Sequence, residues 1–179
     1  MSDLVKLSEK YGTDKNTLHC YIENIYQELF SSRKSTAKKV LEIGAHQGES
    51  IKLWRDYFEN ATVYSMDINH CPALVDQERI NHIVANAYAQ ENVDSLSDDF
   101  DIIIEDGSHA LNDMIFFLKN YTKKLNSNGV IVLEDIQSYD WIDLLIEATP
   151  EPYKSKIQVR DLRNVKGRYD DLAIVIELV

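Results

Sequence analysis

The sequence predicts an α/β protein with a doubly wound, mostly parallel sheet and helices on both faces. Three observations carry this. Short β-branched apolar runs recur along the chain, as at residues 102–104, 130–132 and 174–176. Amphipathic stretches at helical spacing separate them. From residue 39 onward the two kinds alternate, which is the pattern of βαβ units rather than of a β-sandwich or a helical bundle. The chain has 179 residues, 44% of them hydrophobic and 27% charged, enough for one domain with a buried core.

The elements follow in order. In "NTLHCYIENIYQELF", Leu18, Ile22, Ile25 and Leu29 recur at helical spacing, so a helix is expected over 16–30 with Asn16 or Thr17 as its cap. "SSRKSTAKK" is a polar connector. "KVLEIG" is a strand, and "GESIKLWRDYFEN" is a helix with Ile51, Trp54, Tyr57 and Phe58 on one face. "TVYSMDI" and "NHIVAN" are strands, joined by a loop or short helix around residues 72–79. A short helix near 91–96 leads to the strand "DIIIEDG" and the helix "ALNDMIFFLKNYTKKL". The strand "GVIVLED" and the helix "YDWIDLLIEA" follow, and "KIQVRDL" and "DLAIVIELV" are the last two strands.

Charge and composition exclude several partners. A net charge of −11 argues against nucleic acid and against an anionic membrane surface. No apolar run approaches the roughly 20 residues of a membrane span, and "MSDLVKLSEKYG" lacks a signal-peptide pattern. Cys20 and Cys71 stand alone and read as buried free thiols of a cytoplasmic protein. A homo-oligomer is left open. One stretch runs against the acidic trend: Lys154, Lys156, Arg160, Arg163, Lys166 and Arg168 face Asp161 alone, which suggests a solvated edge or a hold on a phosphate or nucleotide group of a substrate.

Ligands of such sheets sit outside the carboxyl ends of the strands, and there the chemistry-bearing residues collect. The first strand ends in "LEIGAHQGES", a turn with Glu42, Gly44 and Gly48. Its G-x-x-x-G spacing differs from the dinucleotide fingerprint and lacks a phosphate-loop lysine, so a cationic cofactor suits Glu42 better than a pyrophosphate does. Asp67 ends the second strand, where an acid can accept hydrogen bonds from a ribose diol. Two later strands end in "EDGSH" and "LEDIQ". Asp106, Glu134 and Asp135 would repel one another if all were ionised. A hard divalent cation relieves this, Mg²⁺ with Mn²⁺ as substitute. His109, three residues past Asp106, is placed to act as general base, whereas Glu105 reads as a solvated neighbour. His46, His70 and His82 show no ligand spacing and read as structural or exposed.

"VLEIGAHQGESIKLW…VYSMDI" resembles the class I S-adenosylmethionine-dependent methyltransferases. The resemblance implies a Rossmann-like sheet of about seven strands with an antiparallel last strand. It implies Glu42 near the methionine amine, Asp67 on the ribose, Gly44 and Gly48 shaping the turn, and Asn86 and Ala87 on the adenine side. "KYGTDKNTLHCYIENIYQELF", "DGSH" and "LED" together resemble the metal-dependent sugar O-methyltransferases of antibiotic biosynthesis, which act on rhamnosyl or mycinose-type sugars; some of their relatives carry the name cephalosporin hydroxylase. That resemblance implies Mg²⁺ held by Asp106, Glu134 and Asp135, with Asp106 and His109 catalytic. The chain divides into an N-terminal helical lid segment, 1–35, and a cofactor-binding unit, 36–179, within one compact domain; Tyr11, Asp14, Lys15, His19 and Tyr21 form either a lid over the cofactor or an N-terminal packing segment. The expected activity is methyl transfer to a hydroxyl of a small acceptor, a sugar or a phosphate- or nucleotide-linked sugar. Two other readings stand beside it: a non-catalytic S-adenosylmethionine-binding interaction domain, and an NAD-dependent oxidoreductase on the same fold.

Overall fold

The computed structural model describes residues 2–178. Seven strands form one sheet: β1 (Lys39–Ile43), β2 (Thr62–Asp67), β3 (Ile80–Val84), β4 (Phe100–Glu105), β5 (Leu125–Leu133), β6 (Ile157–Asp161) and β7 (Leu172–Glu177). Their order is β3-β2-β1-β4-β5-β7-β6. Only β7 runs antiparallel to its neighbours, slotted between β5 and β6. This is the doubly wound sheet expected from the sequence, antiparallel last strand included. The chain reverses its direction of winding between β1 and β4, and the tips of these two strands flank the crevice where such sheets bind ligands.

The helices are α1 (Asp3–Tyr11), α2 (Asp14–Thr17), α3 (Gln27–Phe30), α4 (Glu49–Tyr57), α5 (Gln90–Asp94), α6 (Leu111–Tyr121), α7 (Trp141–Ala148) and α8 (Arg163–Lys166). They cover two faces. Leu4, Phe30 and Trp54 of α1, α3 and α4 pack on Val40, Ile102, Ile104, Val130 and Val132. Met114, Phe117 and Leu145 of α6 and α7 pack on Leu41, Ile43, Ile103, Ile131 and Leu133. Alternate side chains of a strand point to opposite faces, so the continuous isoleucine run of β4 fills both cores at once. No helix is long and apolar enough to cross a membrane among the described residues.

The N-terminal segment departs from the expected single helix over 16–30. After α2 the chain breaks at residues 18–20, then continues as a π-helical turn, Ile22–Tyr26, into α3. The break follows from polar side chains: His19 and Tyr21 turn inward to buried aspartates, and Leu18 is left 49% exposed. Helix α1 was not foreseen. Its ends carry ordinary signals, Ser2 accepting from the Val5 amide and Gly12 in the left-handed region at φ 70°. Cys20 and Cys71 are both buried and free, as expected.

Candidate active site

The glycine turn after β1 forms one wall of the crevice. Gly44 has φ +90°, and a Cβ there would stand 2.0 Å from the Asp106 carbonyl oxygen. Only glycine lets the first turn pack against the turn after β4. Gly48 caps α4 at φ +82° and abuts Leu74. Between these turns and the tips of β2 and β3 lies a cavity of about 560 Å³, lined by Gly44, Asp67, Asn86, Ala87, Asp106 and His109 among others. Asp67 accepts hydrogen bonds from the amides of Ala45 (2.8 Å) and Asn69 (2.7 Å). Burial works to raise its pKa, and these amides outweigh it and hold the carboxyl below the usual range. Each oxygen keeps lone-pair capacity for another donor.

Glu42 is not in the cavity wall. It is fully buried under the turn, accepting from Ser50 Oγ (2.9 Å) and from the Trp54 indole, with the Lys15 ammonium 3.3 Å away. Burial pushes its pKa up to about 7, against the pull of Lys15.

The acid tips divide by strand alternation. Glu42 shares the α1/α4 face with Val40, and Glu134 shares it with Val130 and Val132. Asp106 joins them at the end of the Ile102–Ile104 parity, and Lys15 meets all three. Glu134 is fully buried, with one oxygen accepting from Tyr26 (2.6 Å) and the other bound to Lys15. Burial raises its pKa well above the carboxylate range. Burial also works against the charge on Lys15, but Asp106, Glu134 and Glu42 outweigh it and hold the ammonium well above the usual lysine range.

A second grouping faces outward. Asp106, His109 and Asp135 bring one donor atom each within 4.8 Å of one another, and Glu134 lies outside this set. His109 Nε2 is 3.9 Å from Asp106 Oδ1, while its Nδ1 is buried without a hydrogen-bond partner among the described residues. His109 and Asp135 both sit at positive φ, 55° and 54°, as does His46 at 44° on the cavity rim. Non-glycine residues held there store backbone strain of a kind that clusters at functional sites. Burial raises the pKa of Asp135, and the nearby Asp106 charge adds to it. The donor chemistry fits a hard divalent cation, which would relieve that repulsion with carboxylate oxygens.

The expected lid residues divide. Asp14 lines the cavity. Tyr21 donates to Asp135 (2.6 Å), and His19 Nδ1 lies 2.7 Å from Asp171 and 3.3 Å from Asp135. Tyr11 turns away to Asp56 on α4. Glu105 corrects the sequence reading: it is buried rather than solvated, because it falls on the α6 side of β4 with Ile103. There it accepts from the Tyr88 hydroxyl and the Gly107 amide, bracing the turn that carries Asp106 and His109. Burial pushes its pKa up to about 7. Sequence reasoning missed Tyr88, Tyr26 and Asp171, whose partners are remote in the chain. The 154–168 basic run is dispersed: Lys154 pairs with Glu147, Arg160 with Glu28, Arg163 with Asp161 and Arg168 with Asp170, while Lys166 donates to the carbonyls of Asn16 and His19. His46 and His70 are exposed, and the His82 ring accepts from the Cys71 amide.

A family model described as a methyltransferase domain matches residues 41–136, from β1 to just past the Glu134–Asp135 pair. The 8-demethyl-8-alpha-L-rhamnosyl tetracenomycin-C 2'-O-methyltransferase of Streptomyces olivaceus is 30% identical over 148 residues, 77% of this chain and 39% of that enzyme. The mycinamicin VI 2''-O-methyltransferase of Micromonospora griseorubida is 29% identical over 160 residues, 83% of this chain and 40% of that one. The chain thus spans about two fifths of these relatives' length. Among solved structures, the MycE methyltransferase of the mycinamycin biosynthetic pathway, in complex with Mg, SAH and mycinamycin VI, superposes with a TM-score of 0.79 at 23% identity. It covers 98% of this chain and 53% of that one. At that identity the likeness is one of fold.

Proposed function

The chain belongs to the methyltransferase-domain family, whose model covers more than half of it, and from that premise we propose that it methylates a sugar hydroxyl of a small glycosylated acceptor, using S-adenosylmethionine and Mg²⁺. One observation carries the reading: a single cavity runs from Asp67 and Asn86 to Asp106 and His109. When bound, the cofactor supplies an electrophilic methyl group, and the cation supplies charge that lowers the pKa of an acceptor hydroxyl.

This chain's residues do the rest. Asp67, braced by two amides, accepts the ribose diol. Asn86 and Ala87 border the adenine side, and Gly44 lets the backbone approach the methionine end. Glu42 adds negative charge from beneath the turn. Asp106 and Asp135 offer oxygens to Mg²⁺. Glu134, the third carboxylate of the sequence pattern, stands behind them with both oxygens already partnered. His109 takes the hydroxyl proton at Nε2. Within the N-terminal segment, 1–35, the stretch 14–21 covers the site, with Asp14 on the cavity and His19 and Tyr21 fixing Asp135. Holding donor and acceptor in line provides much of the rate gain. The acceptor carries the sugar as a glycoside; a phosphate- or nucleotide-linked sugar is the alternative, and the 154–168 run, dispersed into pairings of its own and outside the cavity lining, lends it no support.

Calorimetry tests the cofactor and a labelled-methyl assay tests the reaction. S-adenosylhomocysteine should bind and raise the melting temperature by linkage, while NAD should do neither. With Mg²⁺ present, label should pass from S-adenosylmethionine to glycosylated acceptors in a panel that includes nucleotide sugars. Binding of NAD alone would overturn the reading in favour of an oxidoreductase. Cofactor binding with no methyl transfer to any sugar of the panel would overturn the acceptor class.

A further inference from the structure

We propose that Lys15 is a positioning residue that couples the cofactor turn to the cation-binding tips, so that filling either site raises the affinity of the other. The inference rests on the methyltransferase reading above.

The sheet register sets up the contact. Glu42 on β1 lies opposite Ile104 on β4, and Ile104 lies opposite Val132 on β5. Two residues further on, Asp106 and Glu134 stand level, one pleat beyond Glu42 and on the same face. Three acids from adjacent strands therefore converge on one point. The side chain that reaches it comes from α2, outside the sheet. Lys15 is 2% exposed, and its ammonium lies 3.3 Å from Glu42 and 2.5 Å from Asp106, in contact also with Glu134.

Each contact leads elsewhere. Glu42 is bonded to Ser50 and Trp54 on α4, the helix that follows the glycine turn. Asp106 accepts from Lys15 at Oδ2 and turns Oδ1 toward His109, in the group that fits a cation. Asp14, next to Lys15, lines the cavity itself. A ligand that orders the turn or Asp14 therefore orders the ammonium, and the ammonium fixes the carboxylate that meets the cation. Linkage makes the effect reciprocal. A lysine that merely neutralised charge would change stability and leave the two affinities independent.

The test measures affinity for S-adenosylhomocysteine with and without Mg²⁺, and for Mg²⁺ with and without S-adenosylhomocysteine, by calorimetry on the full chain. In the natural protein each ligand should tighten the other by the same factor, about fivefold or more. In Lys15→Met both ligands should still bind, and the factor should fall to about one. Lys15→Arg, which keeps the charge, should recover part of it. If Lys15→Met does not fold, Lys15→Met/Glu42→Gln removes the ammonium together with one of its buried anions, and the same loss of coupling is expected there. An undiminished factor in either methionine variant overturns the inference, as does independent binding in the natural protein. Failure of the natural protein to bind S-adenosylhomocysteine at all sinks the methyltransferase reading instead, so the two failures are distinct.

Discussion

The tips of β1 and β2 and the tips of β4 and β5 hold their acids by opposite means. At β1 and β2 the working atoms are local. Asp67 is held by amides 22 and 2 residues away, in an open crevice shaped by Gly44. At β4 and β5 the acids are held by remote side chains, Lys15 being 91 residues from Asp106 and 119 from Glu134, and Tyr21 being 114 from Asp135. Backbone donors fix a carboxylate without changing its charge balance. Side-chain cations and hydroxyls are needed where several buried carboxylates share one space. The first region suits a neutral diol, the second a cation.

Substitutions can sharpen that contrast, and the largest effect belongs to the second region. His109→Ala should lower kcat by about 10²- to 10⁴-fold and leave S-adenosylhomocysteine affinity unchanged; single-turnover rates and calorimetry on the same variant check both halves. Asp67→Ala should do the reverse. Losing a charged acceptor should weaken S-adenosylhomocysteine by about 10- to 100-fold, with Mg²⁺ affinity of the otherwise empty protein unaltered by titration. Gly44→Ala addresses the seam between the regions. Its Cβ would press on the Asp106 carbonyl and force both turns apart, costing about 1–3 kcal/mol of stability in urea unfolding and weakening both ligands together. If Gly44→Ala harms one site and spares the other, the regions are less joined than the packing indicates.

The same contrast explains what was legible in the sequence. Strand and helix positions follow from alternation and period, which are local, so seven strands were readable, whereas their order in the sheet was not. The turn with Gly44 and the acid at Asp67 were readable because both sit at the end of their own strand. Glu105 was misread because two adjacent acids at a strand tip look alike in sequence, yet alternation sends Glu105 to the α6 core and Asp106 to the opposite face. The parity signal was present: counted from the isoleucines, Glu42, Asp106 and Glu134 fall on one face. What covers that face was not readable. Periodicity promised an unbroken helix over 16–30, whereas pairings with Asp135 and Asp171 break it.

Those pairings also impose an order of assembly. Residues 13–21 are held largely by the C-terminal strands and their approach: His19 by Asp171, Tyr21 by the Asp170 carbonyl, and the carbonyls of Asn16 and His19 by Lys166. On the ribosome Asp171 follows His19 by 152 residues, so nearly the whole sheet is synthesised before the segment can seat. Contacts of such long range close late and slowly. The βαβ core can condense first, with its acidic tips still open to water, and Lys15 enters among them as one of the closing steps of folding.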